Sequence, residues 1–339
     1  MLIQVLCRVN VIICFVVGMI LNSLLIVLIC KHRNAICDKS YKPIVLQICI
    51  TDMLNLIVFT FYMPAYARAD SYGIIYTLGF FNDVFENAPM FTHITFGTWY
   101  FFVFLFIFSP SVQFLYRYLI LCRDWKPSYR LYTGLYSTLV LFLLSFTIIS
   151  NANIIYVSRT SNALYRDYIF TGRPTNVDLL VVNRSPSDTL SAIVMLIIVA
   201  IPSSIVIICG IRIWMYVRQH FRVAPNTNQC LHTNQRLQRQ VNYVLFLQGG
   251  MPVVGHLVGL CLNMFLNIKT EYMSFLPNFL TLVLLVVNPL LTMVLVDSYR
   301  RAVLKLFSSS SATVPITVNL STSFEQNTRN VTFVDDRKN

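Results

Sequence analysis

Charge is scarce in this chain. Of its 339 residues, 12% are Asp, Glu, Lys or Arg, and 26 bases outnumber 14 acids; a soluble domain carries about twice that charged share. The acids are dispersed and no nucleophile stands at readable spacing from a base, so no enzyme is expected. The five histidines are scattered and no metal-ligand spacing occurs, which leaves no expected metal or other cofactor. Neither of the long connections 68–86 and 159–188 contains a cysteine, so a disulfide framework there is not expected. No internal repeat is visible, and the run 272–296 has no lysine to form a retinal Schiff base.

What fills the chain is apolar sequence: hydrophobic residues make up 56%. Seven runs of 22 or more residues carry at most one formal charge each, at about 9–30, 43–67, 91–116, 131–155, 189–211, 240–266 and 272–296. About 20 apolar residues in a helix cross a ~30 Å hydrocarbon core, and helices satisfy their own backbone polar groups in lipid. The expected fold is therefore an all-α membrane protein, a seven-transmembrane bundle over 1–307. No room is left for a separate soluble domain. The first run is too long for the apolar core of a signal peptide and reads as a signal anchor.

Orientation follows from the connections. The segments 31–42, 117–130 and 212–239 hold thirteen basic residues against two acids, whereas the alternate segments hold seven of each. The positive-inside rule then places the N-terminus outside and the C-terminus in the cytosol. The net charge of +12 faces lipid headgroups and cytosolic protein rather than nucleic acid. After the last run, residues 298–307 set Tyr299, Val303, Leu304 and Phe307 at helical spacing among charges, the pattern of a short amphipathic eighth helix. A Ser/Thr-rich tail, 308–339, has little to bury and is expected to be disordered.

Polar residues inside the runs are costly in lipid and point to the bundle interior. Asp52 lies about nine residues into the second run, near mid-membrane at ~1.5 Å per residue. Asn22 is central in the first run, and Asn288 with Pro289 sits in the seventh. Two compatible readings stand: a packing network of hydrogen bonds, or a bistable hub with a cation or proton at Asp52. Pro252, beside Gly249 and Gly250, is expected to kink the sixth helix. Arg117, between Tyr116 and Tyr118, closes the third run and reads on its own as a snorkelling arginine.

Together these residues resemble a family. Gly18 to Asn22, Asp52, the triplet Tyr116-Arg117-Tyr118 and the pair Asn288-Pro289 look like a seven-helix G-protein-coupled receptor. The stretches from Gln113 to Tyr118 and from Leu237 through Gln240 to Gln248 and Pro252 are similar to the nematode serpentine chemoreceptors of the Str superfamily. So is Asn288-Pro289 with Tyr299-Arg300 downstream; the Srd and Str classes are most similar. The resemblance implies an olfactory or other chemosensory receptor in the plasma membrane of a sensory-neuron cilium. It implies signalling through a heterotrimeric G protein, met by Arg117, Tyr116, Tyr118, Arg236 and Arg239. The tail would be the place for an arrestin or receptor kinase. The chain departs from the rhodopsin-like pattern in four ways: no acid precedes Arg117, Thr occupies 292, no tryptophan precedes Pro252, and the third-helix disulfide is absent.

A small-molecule cue would bind the outer half of the bundle, where His93, Trp99, His256 and Asn278 stand, with Gln248 further in. Aromatic walls with a few polar groups suit small, mostly apolar ligands. The alternative is a seven-helix transporter or ligand-gated channel, which would show several intramembrane charges or a repeat. Asn183 opens a glycosylation sequon on the expected outer side, while the sequons at Asn319 and Asn330 fall in the tail.

Overall fold

The apolar runs coil into helices, which satisfy every backbone polar group within the segment itself in lipid. A computed structural model of the chain describes residues 2–31, 41–69, 72–77, 79, 88–123, 125, 128–152, 154–157, 179–183, 188–223, 240–252, 254–255 and 272–309. Its helices are α1 (Leu2–Lys31), α2 (Lys42–Tyr62), α3 (Pro89–Cys122), α4 (Tyr129–Asn151) and α5 (Asp188–Val223). They continue as α6 (240–252), α7 (Tyr272–Leu295) and α8 (Asp297–Ser309). Among the described residues, six helices are long and apolar enough to cross a membrane. Residues 240–252 supply the start of the remaining expected span, and the rest of that run lies outside the described residues.

Helix α3 is the axis. From Val103 to Phe114 every side chain is buried, and α2, α4 and α5 pack around it. Helix α1 lies against α2 and α7. The outer surface is apolar, with Ile148 63% exposed and Ile149 67% exposed on α4; a soluble protein would not tolerate such a continuous face. Glycines mark the closest approaches. A side chain at Gly18 would overlap Leu56 of α2 and touch Val286 of α7. Phe114 of α3 fills the space left by Gly210 of α5 and Gly249 of α6.

Bundle ends depart from the expected boundaries. The second span was expected to reach 67, yet α2 stops at Tyr62. Met63 turns into the left-handed region at φ 41° and donates its N–H to Phe59 O at 2.9 Å. Pro64 follows, and the residue before a proline is driven out of the helical region. The chain then forms β1 (Pro64–Ala69) and β2 (Tyr72–Thr77). Similarly, α4 ends at Asn151 rather than 155, and β3 (Ile155–Val157) begins after it. With β4 (Leu179–Asn183), these make an antiparallel four-stranded sheet in the order β1-β2-β4-β3. The nearly all-helical bundle thus carries a small sheet that the expectation did not include. Strands of three to six residues are too short to register as spans.

The sheet is sewn to α2. Thr77 donates its hydroxyl to the Tyr62 carbonyl and accepts the Gly79 N–H at 3.2 Å, which caps the helix end. A side chain at Gly79 would collide with the Phe61 carbonyl. At the opposite end, a bend at Val296 separates α7 from α8. Helix α8 buries Tyr299 and Ala302 and exposes Arg300, Arg301, Leu304 and Lys305, as an amphipathic interfacial helix does. Burial pushes the Tyr299 phenol far above its usual pKa, with Tyr41 and Cys49 adding to the effect.

Candidate functional site

The expected polar residues of the spans meet at one level. Asn288 Nδ2 donates to Asp52 Oδ2 at 3.1 Å, joining α7 to α2, and each residue is 2% exposed. Gln248 of α6 donates from Nε2 to Asn288 O at 2.7 Å and to Thr292 Oγ1 at 2.9 Å. Thr292 also donates back to Asn288 O at 3.2 Å. Four residues thereby tie three helices together. Asn22 bonds its own helix, from Nδ2 to Gly18 O at 2.9 Å. Since Gly18 meets Leu56, one turn from Asp52, the antiparallel α1–α2 pair brings Asn22 to the Asp52 level. The side-chain oxygens of Asn22, Asn55, Gln248 and Asn288 are buried without a hydrogen-bond donor among the described residues. Amide oxygens left so in an interior favour a donor, a water or a cation.

Toward α8, Arg117 is 5% exposed, and its guanidinium carbon stands 5.9 Å from the centroid of the Tyr41 ring. Tyr116 is buried, its ring centroid 5.0 Å from that of Tyr132, and its hydroxyl donates to Ser128 O at 3.4 Å. Tyr118 points elsewhere: its hydroxyl accepts from Arg123 Nε at 3.2 Å. Gln240, at the start of α6, donates to Asp297 Oδ2 at 2.8 Å and accepts the Asp297 N–H at 3.3 Å, linking α6 to α8. Asp297 also pairs with Arg300 at 2.8 Å. Arg236 and Arg239 lie outside the described residues.

At the sheet end, the residues expected near a ligand part company. His93 Nδ1 lies 3.3 Å from Asn151 Oδ1, and Asn151 Nδ2 donates to His93 O at 3.0 Å, so this histidine joins α3 to α4. Trp99 is buried in an aromatic cluster with Phe59, Tyr62, Phe96 and Tyr100, at centroid distances of 5.8–6.4 Å. Asn278 Nδ2 donates to Pro64 O at 2.8 Å and lines a cleft with Asn10, Phe59, Met63, Phe279 and Leu282. That cleft, between α1, α2 and α7, spans about 340 Å³ including its open mouth. Trp99 meets its wall through Phe59, while Gln248 belongs to the Asp52 hub. His256 lies outside the described residues, and Asn183 is described only as the last residue of β4, paired with Tyr72.

The structure adds residues that the reading of motifs passed over. Gln47 of α2 accepts from Gln113 of α3 at 3.0 Å and Tyr132 of α4 at 2.8 Å, and donates to Thr51 at 3.0 Å and Tyr136 at 3.1 Å. The available signal was periodicity: Gln47 and Thr51, like Tyr132 and Tyr136, are four apart and share a helix face. Among the described residues, no group of three or more His, Cys, Asp or Glu side chains is placed to hold a metal ion.

A family model described as "Serpentine type 7TM GPCR chemoreceptor Srd" matches residues 7–305. Squid rhodopsin, a solved crystal structure, is similar in fold: 14% identical, TM-score 0.62, covering 91% of this chain and 86% of its own. No curated protein matches the sequence.

Proposed function

The chain belongs to the Srd family of serpentine seven-transmembrane G-protein-coupled chemoreceptors, and on that premise we propose that it binds a small chemical cue and activates a heterotrimeric G protein. The sheet end faces outside and the Arg117 end faces the cytosol, as the basic connections require. The membrane is the plasma membrane, that of a sensory cilium. The cue is small and largely apolar, held among the aromatic residues around Trp99 and the cleft that Asn278 lines; His93, Gln248 and His256 act on its shape or its readout.

The observation that carries this reading is the chain of hydrogen bonds from Asp52 through Asn288 to Gln248. It joins α6, which Pro252 is expected to kink, to the two helices α2 and α7. A buried set of hydrogen bonds that ties three helices together rigidifies them while it is satisfied, and its rearrangement is the switch in this reading. Asp52, with the undonated oxygens near it, holds a proton or cation in one of those states. Ligand binding shifts the balance by its differential affinity for the two arrangements. In the arrangement described, Arg117 is buried, and the second arrangement opens it, with Tyr116, Tyr118, Arg236 and Arg239 beside it, to a helix of the G protein. The cytosolic tail is then available to a receptor kinase or an arrestin.

The test is expression of the full chain in reporter cells against a panel of volatile and water-soluble compounds. A compound-dependent G-protein signal, abolished or weakened by Arg117→Ala at equal surface expression, is the expected result. A normal signal from Arg117→Ala removes that residue's role. A compound-gated current without G protein makes the protein a channel and ends the reading.

A further inference from the structure

Gln47 has every hydrogen-bonding position of its amide in use. Oε1 accepts from Gln113 Nε2 at 3.0 Å and from the Tyr132 hydroxyl at 2.8 Å; Nε2 donates to Thr51 Oγ1 at 3.0 Å and to the Tyr136 hydroxyl at 3.1 Å. A side-chain amide has two acceptor sites and two N–H donors, so the group is saturated. Three of its four partners stand on other helices, Gln113 on α3 and the two tyrosines on α4. Thr51 Oγ1 lies 3.3 Å from the Tyr136 hydroxyl, closing a ring of contacts.

These partners bear on Arg117 from both sides. Gln113 is one helical turn before it on α3, and Gln113 Nε2 also donates to Ser109 Oγ at 3.2 Å. Tyr132 lays its ring edge against Tyr116, the residue preceding Arg117, at 5.0 Å. Gln113, Tyr132 and Thr51 are buried and Gln47 and Tyr136 half-buried; removing one member of such a saturated network leaves the others short of partners, which couples their arrangement. We propose that Gln47 is a positioning residue, holding the Arg117 turn of α3 against α2 and α4 in the arrangement that keeps Arg117 buried. The inference rests on the proposal that Arg117 meets a G protein, and it assigns the resting state of that contact to a hydrogen-bonded amide.

The test uses the full-length receptor in reporter cells and reads ligand-free G-protein signal per receptor at the surface. Gln47→Leu removes all four bonds; Tyr132→Phe removes one and leaves the ring on Tyr116; Tyr129→Phe, on an exposed residue of α4, is the control. Gln47→Leu is expected to raise the ligand-free signal per surface receptor at least about threefold, the scale at which substitutions in coupled networks act. Tyr132→Phe is expected to raise it less, and Tyr129→Phe not at all. Where Gln47→Leu fails to reach the surface, Tyr132→Phe decides. A signalling wild type with an unchanged or lowered ligand-free signal in the deciding variant overturns this inference alone. A wild type that couples to no G protein removes the proposed function and this inference with it.

Discussion

Asn288 makes its two ties with different atoms, and this separates two perturbations that a contact list would merge. Its side-chain Nδ2 donates to Asp52, whereas its backbone oxygen accepts from Gln248. Asn288→Ala deletes the first tie and leaves the second in place. Hydrogen bonds to charged groups contribute about 1.5–3 kcal/mol, but interhelical bonds inside membrane proteins average about 0.6 and reach about 1.7 kcal/mol. With Asp52 and Asn288 each 2% exposed, water cannot replace the lost donor, so the upper part of the membrane range applies. A double-mutant cycle of Asp52→Ala with Asn288→Ala is expected to show a coupling of about 1–2 kcal/mol. The cycle of Gln248→Ala with Asn288→Ala is expected to be additive to within about 0.5 kcal/mol. Equilibrium unfolding of the purified receptor in mixed micelles of mild detergent and dodecyl sulfate measures both. Additivity in the first cycle, or a larger coupling in the second, refutes the assignment of the two ties.

Three further outcomes are expected. Gly249→Ala places a methyl 3.0 Å from Pro110 Cβ and 3.1 Å from Phe114 Cε2, so the α3 side chains or α6 must give by a few tenths of an ångström; overpacking of this kind costs about 1–3 kcal/mol, and an unchanged unfolding midpoint contradicts it. Thr77→Val leaves the Tyr62 carbonyl and the Gly79 N–H without their shared partner, at about 1–3 kcal/mol, visible as a lowered midpoint in the same assay. Glycosidase mapping of receptor at the cell surface is expected to find Asn319 and Asn330 unmodified, with Asn183 the eligible site; a glycan on either tail sequon reverses the orientation.

Span positions were legible because a bilayer demands length and low charge, and both are countable along a sequence. The Asp52–Asn288 contact was legible for a related reason: both residues are polar where lipid penalises polarity, and they hydrogen-bond directly, whereas Asn22, polar in the same way, bonds its own helix. The end of α2 was legible and overlooked, since Pro64 is a stop signal inside a run that hydropathy alone extends to 67. Strand pairing was not legible: Tyr72–Thr77 and Leu179–Asn183 meet across more than a hundred residues, and nothing local encodes the partner. Gln47 escaped notice for a subtler reason. A glutamine within a span announces that it needs partners but not which ones, and Tyr132 and Tyr136 are amphipathic enough to pass as interfacial aromatics.

The sheet over one end of the bundle is built from backbone pairing, with β1 and β2 contributed by the segment after α2 and β4 reached from the segment after α4. Hydrogen bonds between main chains do not depend on which side chains the strands display, and successive residues of a strand face opposite ways. Side chains on the face turned away from the helices are therefore open to replacement without unpicking the cover itself. Substitution on that face leaves the Asp52–Asn288–Gln248 hydrogen bonds as they are, since none of the three residues belongs to a strand.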